Sequence, residues 1–167
     1  MRTGKRRQIE DKVLSLKDKQ YGRILVFTGA RQVGKTTLVK QVLSDYTYLN
    51  IEDPVKRKSY LTLTAQQWKK LYPKATLDEV QKEPQLVESI KAVYDTYDDV
   101  RYVLLGSSQL LLLEKVRESL AGRCVIYELY PLTLPELETN SWDDEVTPSE
   151  WQILLTAPKE ELSLYPS

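Results

Sequence analysis

The sequence predicts an α/β domain of three layers, with helices on both faces of a mostly parallel central sheet. Short apolar runs of strand character alternate along the chain with segments whose apolar residues recur at helical spacing, and this alternation is typical of the class. The length of 167 residues suits one domain with a single core. Apolar residues make up 41% of the chain, which excludes disorder throughout.

The first half of the chain contains two predicted strands. Residues 8–20 form a polar segment with apolar positions at helical spacing. The run RILVFT (23–28) is apolar on both faces, as strands of buried parallel sheets are. A helix is predicted over 35–44 and a second strand over 46–51. A polar, helical segment then extends to Trp68.

The second half of the chain repeats the alternation. Apolar residues at helical spacing predict a helix over 85–97. The run RYVLLGSS (101–108) is a predicted strand that ends on a glycine and two serines. A helix follows over 109–120, and CVIYEL (124–129) is the last predicted strand.

The composition excludes several classes of site. Because the chain has no histidine, it has no histidine-dependent triad, no histidine base and no histidine-ligated zinc. The single Cys124 cannot form a disulfide within the chain and fits a reducing compartment. Lys plus Arg and Asp plus Glu both number 24, so no overall charge favours nucleic acid or an anionic membrane.

The N-terminus is a locally basic stretch, with four cations between Arg2 and Arg7. Such a cluster at a chain end is more often a solvated tail than a DNA contact, so we do not expect nucleic acid as a partner. The cluster is not followed by an apolar run, and no stretch approaches the length of a membrane span. We therefore expect a cytoplasmic protein without a membrane partner.

The stretch GARQVGKTT (29–37) directly follows a predicted strand and precedes a predicted helix. Gly29, Gly34, Lys35 and Thr36 stand at G-x-x-x-x-G-K-T spacing. Glycines let backbone N–H groups turn inward around a phosphate, and the helix N-terminus adds its dipole. Lys35 would reach the β and γ phosphates, and the Thr36 hydroxyl would bind Mg²⁺. This context favours a phosphate site over a plain turn with a solvated lysine.

Polar residues follow two further predicted strands. Asp78 and Glu79 come after a short apolar run; the first of such a pair supports the Mg²⁺ shell and the second orients an attacking water. The alternative is two exposed acids that open the next helix. Ser107 and Ser108 end the strand 101–108, at the sheet edge where ligands bind in such folds. A serine there contacts the γ-phosphate or caps the next helix, and Ser108 suits the cap.

Five stretches in this order carry a resemblance to a known family: GARQVGKTTL, LDEVQKEPQLVESIK, LLGSSQLLL, SLAGR and YELYPLTLPEL. They resemble the N-terminal module of a large family of prokaryotic AAA-type P-loop ATPases, over most of residues 20–138. The resemblance implies a three-layer P-loop NTPase fold of the AAA/ASCE type, with ATP and Mg²⁺ as ligands. In that family a long C-terminal region follows, whose domain has no settled function.

The resemblance also implies roles for single residues. Lys35, Glu79 and Arg123 would be catalytic, with Arg123 stabilising transition-state charge in its own chain or across a subunit boundary. Alternatively, Arg123 caps a helix end and pairs with an acid. The implied metal ligands are Thr36 and Asp78. The residues assigned to ATP are Gly29, Ala30, Arg31, Gln32, Val33, Gly34, Lys35, Thr36, Thr37 and Ser107.

The predicted domains are an N-terminal helical segment (1–20), the P-loop ATPase domain (21–138) and the start of a C-terminal helical region (139–167). A T-x-x-E capping box at Thr147–Glu150 supports a helix in the last part. Because the family's chains are longer, we expect a fragment or a degenerate gene product that exposes three leucines between residues 154 and 162. Beyond ATP, the expected partners are the missing C-terminal region or further copies of the chain.

The strand before Asp78 departs from the family's pattern. Central parallel strands are near-continuous apolar runs, but the stretch YPKATLDE offers only ATL before the two acids. We therefore expect a strand about two residues short, which either pulls the preceding loop inward or displaces Asp78 and Glu79. We also expect this strand to lie beside residues 23–28. A displaced acid predicts intact nucleotide binding with slow hydrolysis.

Four functions are compatible with these residues. The favoured one is an ATP-hydrolysing module that acts as a nucleotide switch. A nucleotide-binding module without efficient turnover follows from the short strand. A small-molecule kinase would need several lid arginines, of which the region after Ser108 supplies only Arg117 and Arg123. A GTPase is disfavoured because the chain has no N-K-x-D motif.

Overall fold

The protein divides into two compact units in its computed structural model. Residues Asp11–Pro131 form the larger unit, and Met1–Glu10 together with Leu132–Ser167 form the smaller one. The larger unit contains the sheet and the predicted phosphate loop. The residues that the structure describes are 4–17, 19–107, 110–148 and 153, and for 110–113 the backbone alone.

A parallel sheet of five strands forms the larger unit. The strands are β1 Ile24–Thr28, β2 Thr47–Asn50, β3 Lys74–Asp78, β4 Arg101–Leu105 and β5 Cys124–Glu128. Their order across the sheet is β2-β3-β4-β1-β5, and every neighbouring pair is parallel. Parallel neighbours need crossover connections, which helices usually provide. The α/β class with a parallel central sheet is therefore confirmed.

Helices occupy the connections between the strands. The helices of the described residues are α1 Glu10–Leu16, α2 Lys35–Val42, α3 Pro54–Leu61, α4 Ala65–Leu71, α5 Leu86–Thr96, α6 Leu110–Ser119 and α7 Leu134–Glu138, with a 3₁₀ turn at Val80–Lys82. The polar segment that was expected as one helix up to Trp68 is two helices. Thr64 causes the break, because its side chain and that of Gln67 form a capping box that starts α4.

The sheet is buried on both faces at β1. Ile24 and Val26 belong to the main core cluster, together with Ile90 of α5. Leu25 and Phe27 alternate with them and point to the other face, yet their exposed fractions are only 3% and 0%. Both faces of β1 are therefore covered, as the three-layer prediction requires.

The strand β3 is complete, so the expectation that it is about two residues short is wrong. It has five residues, as β1, β4 and β5 do, and it pairs with β2 and β4 along its length. Its first residue is Lys74, whose Nζ lies 3.0 Å from Oδ2 of Asp45. The prediction counted only apolar residues and therefore left Lys74 out of the strand. A strand end can hold a cation when an acid pairs with it. The connection from α4 is only Tyr72 and Pro73.

The expected position of β3 beside β1 is also wrong. The strand β4 lies between them and pairs with both. The carboxyl end of β4, which leads to Ser107, therefore lies between the loop that follows β1 and the acids that end β3. The order of parallel strands depends on how the crossover helices pack, and the local sequence does not specify it.

The basic N-terminal stretch is tied into the smaller unit. Lys5 Nζ donates to the carbonyl of Leu137 at 2.7 Å. Arg7 is 6% exposed, and its Nε lies 3.3 Å from Oε1 of Glu136, which also closes a capping box with Thr133. The expectation of a solvated tail is therefore wrong for Lys5 and Arg7. Four residues of the C-terminal predictions lie outside the described residues, namely Glu150, Leu154, Leu155 and Leu162.

Candidate nucleotide-binding site

The loop between β1 and α2 bends through three positions with positive φ. These are Gly29 at 138°, Gln32 at 64° and Gly34 at 91°. Positive φ is open to glycine and strained for other residues, so both glycines of the motif stand where the backbone needs them. Loops of this kind gather backbone N–H groups into a concavity that suits an anion. The helix α2 begins directly after Gly34 and adds its positive end.

Gly29 is also required by a close approach of two backbone segments. A Cβ atom on this residue would lie 2.2 Å from the carbonyl oxygen of Leu129. Leu129 is held there because its N–H donates to the carbonyl of Thr28 at 2.8 Å. The first glycine of the loop therefore lets the segment after β5 pass directly beside the end of β1.

Lys35 folds back over the loop. Its exposed fraction is 9%, and its ammonium donates to the carbonyls of Gly29 at 2.9 Å and Ala30 at 2.7 Å. Burial lowers the pKa of Lys35, while the negative charges of Glu79 and Asp78 oppose that shift. The ammonium is held by neutral carbonyls, which anionic phosphate oxygens can replace with stronger, charge-assisted bonds.

Asp78 ends β3 and accepts hydrogen bonds from residues of α2, of β2 and of the turn that follows β3. Its Oδ2 accepts from the hydroxyl of Thr36 at 2.7 Å and from that of Tyr48 at 2.5 Å. Its Oδ1 accepts from the backbone N–H of Glu79 at 2.9 Å. With an exposed fraction of 6%, the carboxylate is buried and hydrogen-bonded on both oxygens. The structure therefore brings the two sequence-predicted metal ligands, Thr36 and Asp78, into contact.

The donor set fits a magnesium ion that arrives with a nucleotide. A hydroxyl and a carboxylate supply the hard oxygen atoms that Mg²⁺ prefers. Among the described residues, no cluster of three or more His, Cys, Asp or Glu side chains could hold a metal. Mg²⁺ is usually bound by one or two carboxylates together with substrate phosphates. Thr36 and Asp78 match the protein's share of such a site.

Tyr48 is a contact of the site that the sequence did not indicate. Its hydroxyl bonds to Asp78 at 2.5 Å, and the Nζ atom of Lys40 lies 3.8 Å from the centre of its ring. Burial and the carboxylate of Asp78 raise the pKa of Tyr48, so it remains a hydroxyl donor. Tyr48 reaches Asp78 because β2 pairs with β3, with Asn50 opposite Asp78. A sequence without known strand order carries no signal for this contact.

Glu79 starts a tight turn at the end of β3. Its backbone is left-handed, with φ 61° and ψ 36°, and the 3₁₀ turn Val80–Lys82 follows it. Its Oε2 accepts from the side-chain amide of Gln81 at 2.5 Å. The sequence motif around Asp78 and Glu79 predicted no role for Gln81. The only available signal was its position two residues after the acid, which is uninformative without the turn.

Ser107 follows β4 and carries a buried hydroxyl. Its Oγ has no hydrogen-bond partner among the described residues, so its side chain does not cap the next helix there. The N–H of Gly106 donates to the carbonyl of Phe27 at 3.1 Å and holds this segment beside the end of β1. Ser108, to which the cap was preferentially assigned, lies outside the described residues.

Arg123 is not brought to the phosphate loop. It directly precedes β5, whose first residue Cys124 lies opposite Ile24, whereas the loop leaves the opposite end of β1. Four residue steps at about 3.3 Å each put roughly 13 Å of strand between these two sheet edges. Its Nε and Nη2 donate to Asp95 at 2.7 Å and 3.1 Å. The pairing with an acid was one of the two predicted alternatives, and a catalytic contact within the same chain is not formed.

The other residues assigned to ATP lie along the loop and at the start of α2. Val33 is buried at 9% exposure and anchors the loop from inside. Ala30, Arg31, Gln32 and Thr37 are exposed. These four residues therefore lie on a part of the loop and of the first turn of α2 that a ligand can approach.

Comparison with known families agrees with this geometry. A family model described as an AAA domain matches residues 21–138, which is more than half of the chain. The chain belongs to this AAA domain family. Membership confirms the resemblance to AAA-type P-loop ATPases and makes the chain an ATPase-like nucleotide-binding module. The parallel sheet is accordingly that of a P-loop NTPase fold.

Relatives of this AAA domain occur in mycobacteria. Two proteins described as uncharacterized, one from Mycobacterium bovis and one from Mycobacterium tuberculosis, are each 32% identical to it over 128 residues. The match covers 72% of this chain and 28% of each relative. The chain thus spans only about a quarter of these relatives. None of the described helices combines the length and the apolar character needed to cross a bilayer.

Proposed function

We propose that this AAA domain binds ATP with Mg²⁺, hydrolyses it to ADP and phosphate, and acts as a nucleotide switch. The observation that carries the proposal is the bond of 2.7 Å from Thr36 to Asp78, which are 42 residues apart in the chain. A plain strand-to-helix turn has no need for a buried carboxylate against its first helical turn. An Mg²⁺-nucleotide site needs this pair of oxygen ligands.

The loop supplies the groups that would hold the phosphates. Lys35 would leave the carbonyls of Gly29 and Ala30, which it contacts at 2.9 Å and 2.7 Å, and donate to β and γ phosphate oxygens. The backbone N–H groups after Gly29 and the start of α2 would surround the β-phosphate. The hydroxyl of Thr36 and the carboxylate of Asp78 would hold the ion, whose bound charge neutralises the phosphate oxygens.

Glu79 would act as the general base that activates the attacking water. A bond would form between the water oxygen and the γ-phosphorus, while the bond to the bridging oxygen breaks and its electron pair stays with ADP. The water proton would pass to the carboxylate of Glu79. Ser107, whose buried Oγ has no described partner, would donate to the γ-phosphate. Its place between β3 and β1 in the strand order supports that role.

Arg123 enters the proposal only across a subunit boundary. Within its own chain it is paired with Asp95 at the amino end of β5. To act on a phosphate, its guanidinium would have to meet the nucleotide of a neighbouring copy. We therefore propose that Arg123 acts in trans in a homo-oligomer, as arginine fingers supplied by a partner do.

The alternative functions lose their support from the site. Binding without turnover was suggested by a short β3, but Asp78 lies in register with Asn50 and against Thr36. A small-molecule kinase would need several lid arginines over its acceptor, but the region after Ser108 supplies only Arg117 and Arg123. Hydrolysis therefore has the better support.

Calorimetry combined with phosphate release tests the proposal. ATP should bind in the presence of Mg²⁺ and bind more weakly after EDTA, because Thr36 and Asp78 then lose the ion that links them to the phosphates. Phosphate release should not depend on added alcohol or carboxylate acceptors. Transfer of phosphate to an acceptor would identify a kinase, and failure to bind ATP would overturn the proposal.

A further inference from the structure

We propose that Gln81 is a positioning residue for hydrolysis, which orients the carboxylate of Glu79 and offers a second acceptor to the attacking water. This inference rests on the proposed ATP hydrolysis and names a further residue of the same site. It starts from the hydrogen bond of 2.5 Å from Nε2 of Gln81 to Oε2 of Glu79.

A carboxylate that is held through one oxygen has a defined direction. With Oε2 of Glu79 engaged by Gln81, Oε1 is the oxygen left to receive a proton from water. A glutamate side chain without such a bond would sample several rotamers, of which few place the oxygen correctly. Catalysis tolerates misplacement on the order of 1 Å poorly. The amide of Gln81 restricts the rotamer of Glu79, which determines the position of Oε1.

The backbone turn keeps the two side chains together. Glu79 has φ 61°, which is costly for a residue with a Cβ and persists only where the surroundings impose it. Val80 is fully buried and anchors the turn. The N–H of Lys82 donates to the carbonyl of Glu79 at 2.9 Å, and that of Glu83 to the carbonyl of Val80 at 3.0 Å. The strained backbone at Glu79 therefore places the side chains of Glu79 and Gln81 next to each other.

The other polar atom of Gln81 is without a partner. Its Oε1 is buried and accepts no hydrogen bond from the described residues, and an unpaired buried acceptor is unfavourable because it has lost its hydrogen bonds to water. The hydroxyl of Ser107 is a second buried atom in the same state. Both follow adjacent strands, since β3 pairs with β4 and Leu77 lies opposite Leu104. Two such atoms after adjacent strands support a polar occupant at this end of the sheet.

In this proposal the attacking water binds to two acceptors, Oε1 of Glu79 and Oε1 of Gln81. It would donate one proton to Oε1 of Glu79 and the other toward Oε1 of Gln81, so that a lone pair points away from both. That lone pair is the one that attacks phosphorus. Gln81 exchanges no proton itself and only restricts the orientation of Glu79 and of the water.

The test replaces Gln81 by methionine, which has a similar length and neither amide group. We expect Gln81→Met to lower kcat on the order of 10- to 100-fold, with an unchanged Kd for ATP and unchanged unfolding in urea. Gln85→Met is the matched control, because Gln85 is exposed and makes no capping hydrogen bond at the start of α5. It should leave kcat unchanged.

A double variant separates positioning from packing. If Gln81 acts through Glu79, adding Gln81→Met to Glu79→Gln should lower kcat no further. If Gln81→Met does not fold, Gln81→Glu tests the inference instead. This substitution keeps the size of the side chain and removes the hydrogen-bond donor, so it should also lower kcat. A wild-type kcat in a folded variant, or full additivity, would overturn the inference alone. A wild type that binds ATP without releasing phosphate would overturn the hydrolysis proposal and the inference with it.

Discussion

The hydroxyl of Thr36 lies 2.7 Å from Oδ2 of Asp78, although the strands that lead to these residues are not neighbours. The strand β4 separates β1 from β3, so the contact spans the ends of three adjacent strands. It depends on the register of β3, in which Asn50 lies opposite Asp78. A change in the length of β3 would therefore act directly on the site.

Inserting two isoleucines between Leu77 and Asp78 tests this register. The insertion keeps side-chain parity but moves Asp78 roughly 6.6 Å along the strand, out of reach of Thr36. We expect phosphate release to be lost while ATP binding, which the loop largely provides, weakens only slightly. The control is the insertion of Gly-Ser after Asp98, whose side chain is 94% exposed. Turnover equal to or above wild type in the isoleucine variant would refute the observed register.

Lys35→Ala should greatly weaken the binding of Mg-ATP. The variant removes a cation from a site that also contains Asp78 and Glu79, and charge-assisted bonds contribute about 1.5–3 kcal/mol each. We expect a rise in Kd on the order of 10- to 100-fold by calorimetry. Lys70→Ala, at an exposed position of α4, is the control and should bind as wild type does. Equal affinities in both variants would remove Lys35 from the site.

Gly29→Ala should destabilise the protein more than Gly122→Ala. Both glycines have positive φ, 138° and 72°, so both variants incur backbone strain, which is about 1–2 kcal/mol in the left-handed helical region of Gly122. Only at Gly29 does the new Cβ meet a backbone atom, the carbonyl of Leu129 at 2.2 Å, whereas nothing lies within 4 Å at Gly122. Urea unfolding measures the difference. Equal losses of stability would show that the approach of Leu129 is not tight in solution.

The proposed role of Arg123 predicts different effects for the two members of its ion pair. Arg123→Ala should lower turnover far more than ATP affinity, by on the order of 10³-fold, and wild-type activity per chain should rise with protein concentration. Asp95→Ala breaks the same pair but leaves the arginine in place, so its turnover should stay near wild type. If both variants lose the same small stability and no turnover, the arginine only stabilises the fold.

Local sequence was sufficient to predict the backbone of the loop between β1 and α2. A buried strand, two glycines and a helix start are specified within one short segment, and Gly29 and Gly34 both adopt the positive φ that their type allows. The parallel sheet followed from the alternation of apolar runs. The N-terminal end of β3 was missed because Lys74 is polar, and only its pairing with Asp45 at 3.0 Å explains its place in the strand.

Tertiary relationships were beyond the reach of local patterns. Tyr48 contacts Asp78 only because β2 pairs with β3, and Arg123 meets Asp95 across an interval of 28 residues. Gln81 contacts Glu79 because the turn between them is strained. The residue type of Gln81 does not predict this contact. Strand order and backbone strain arise from the packing of the whole sheet. The sequence motif therefore points to Asp78 and Glu79 but not to the side chains that hydrogen-bond to them.

Phosphate release by wild type and Glu79→Gln at saturating Mg-ATP tests the central claim most directly. The substitution keeps the shape of the side chain and removes the base, while Lys35, Thr36 and Asp78 stay in place. We expect calorimetry to give similar ATP affinities for the two proteins, and a kcat of Glu79→Gln that is measurable but lower than that of the wild type on the order of 10²- to 10⁴-fold. Equal release by both proteins, or none by a wild type that binds ATP, would contradict the assignment of this AAA domain as an ATP-hydrolysing switch.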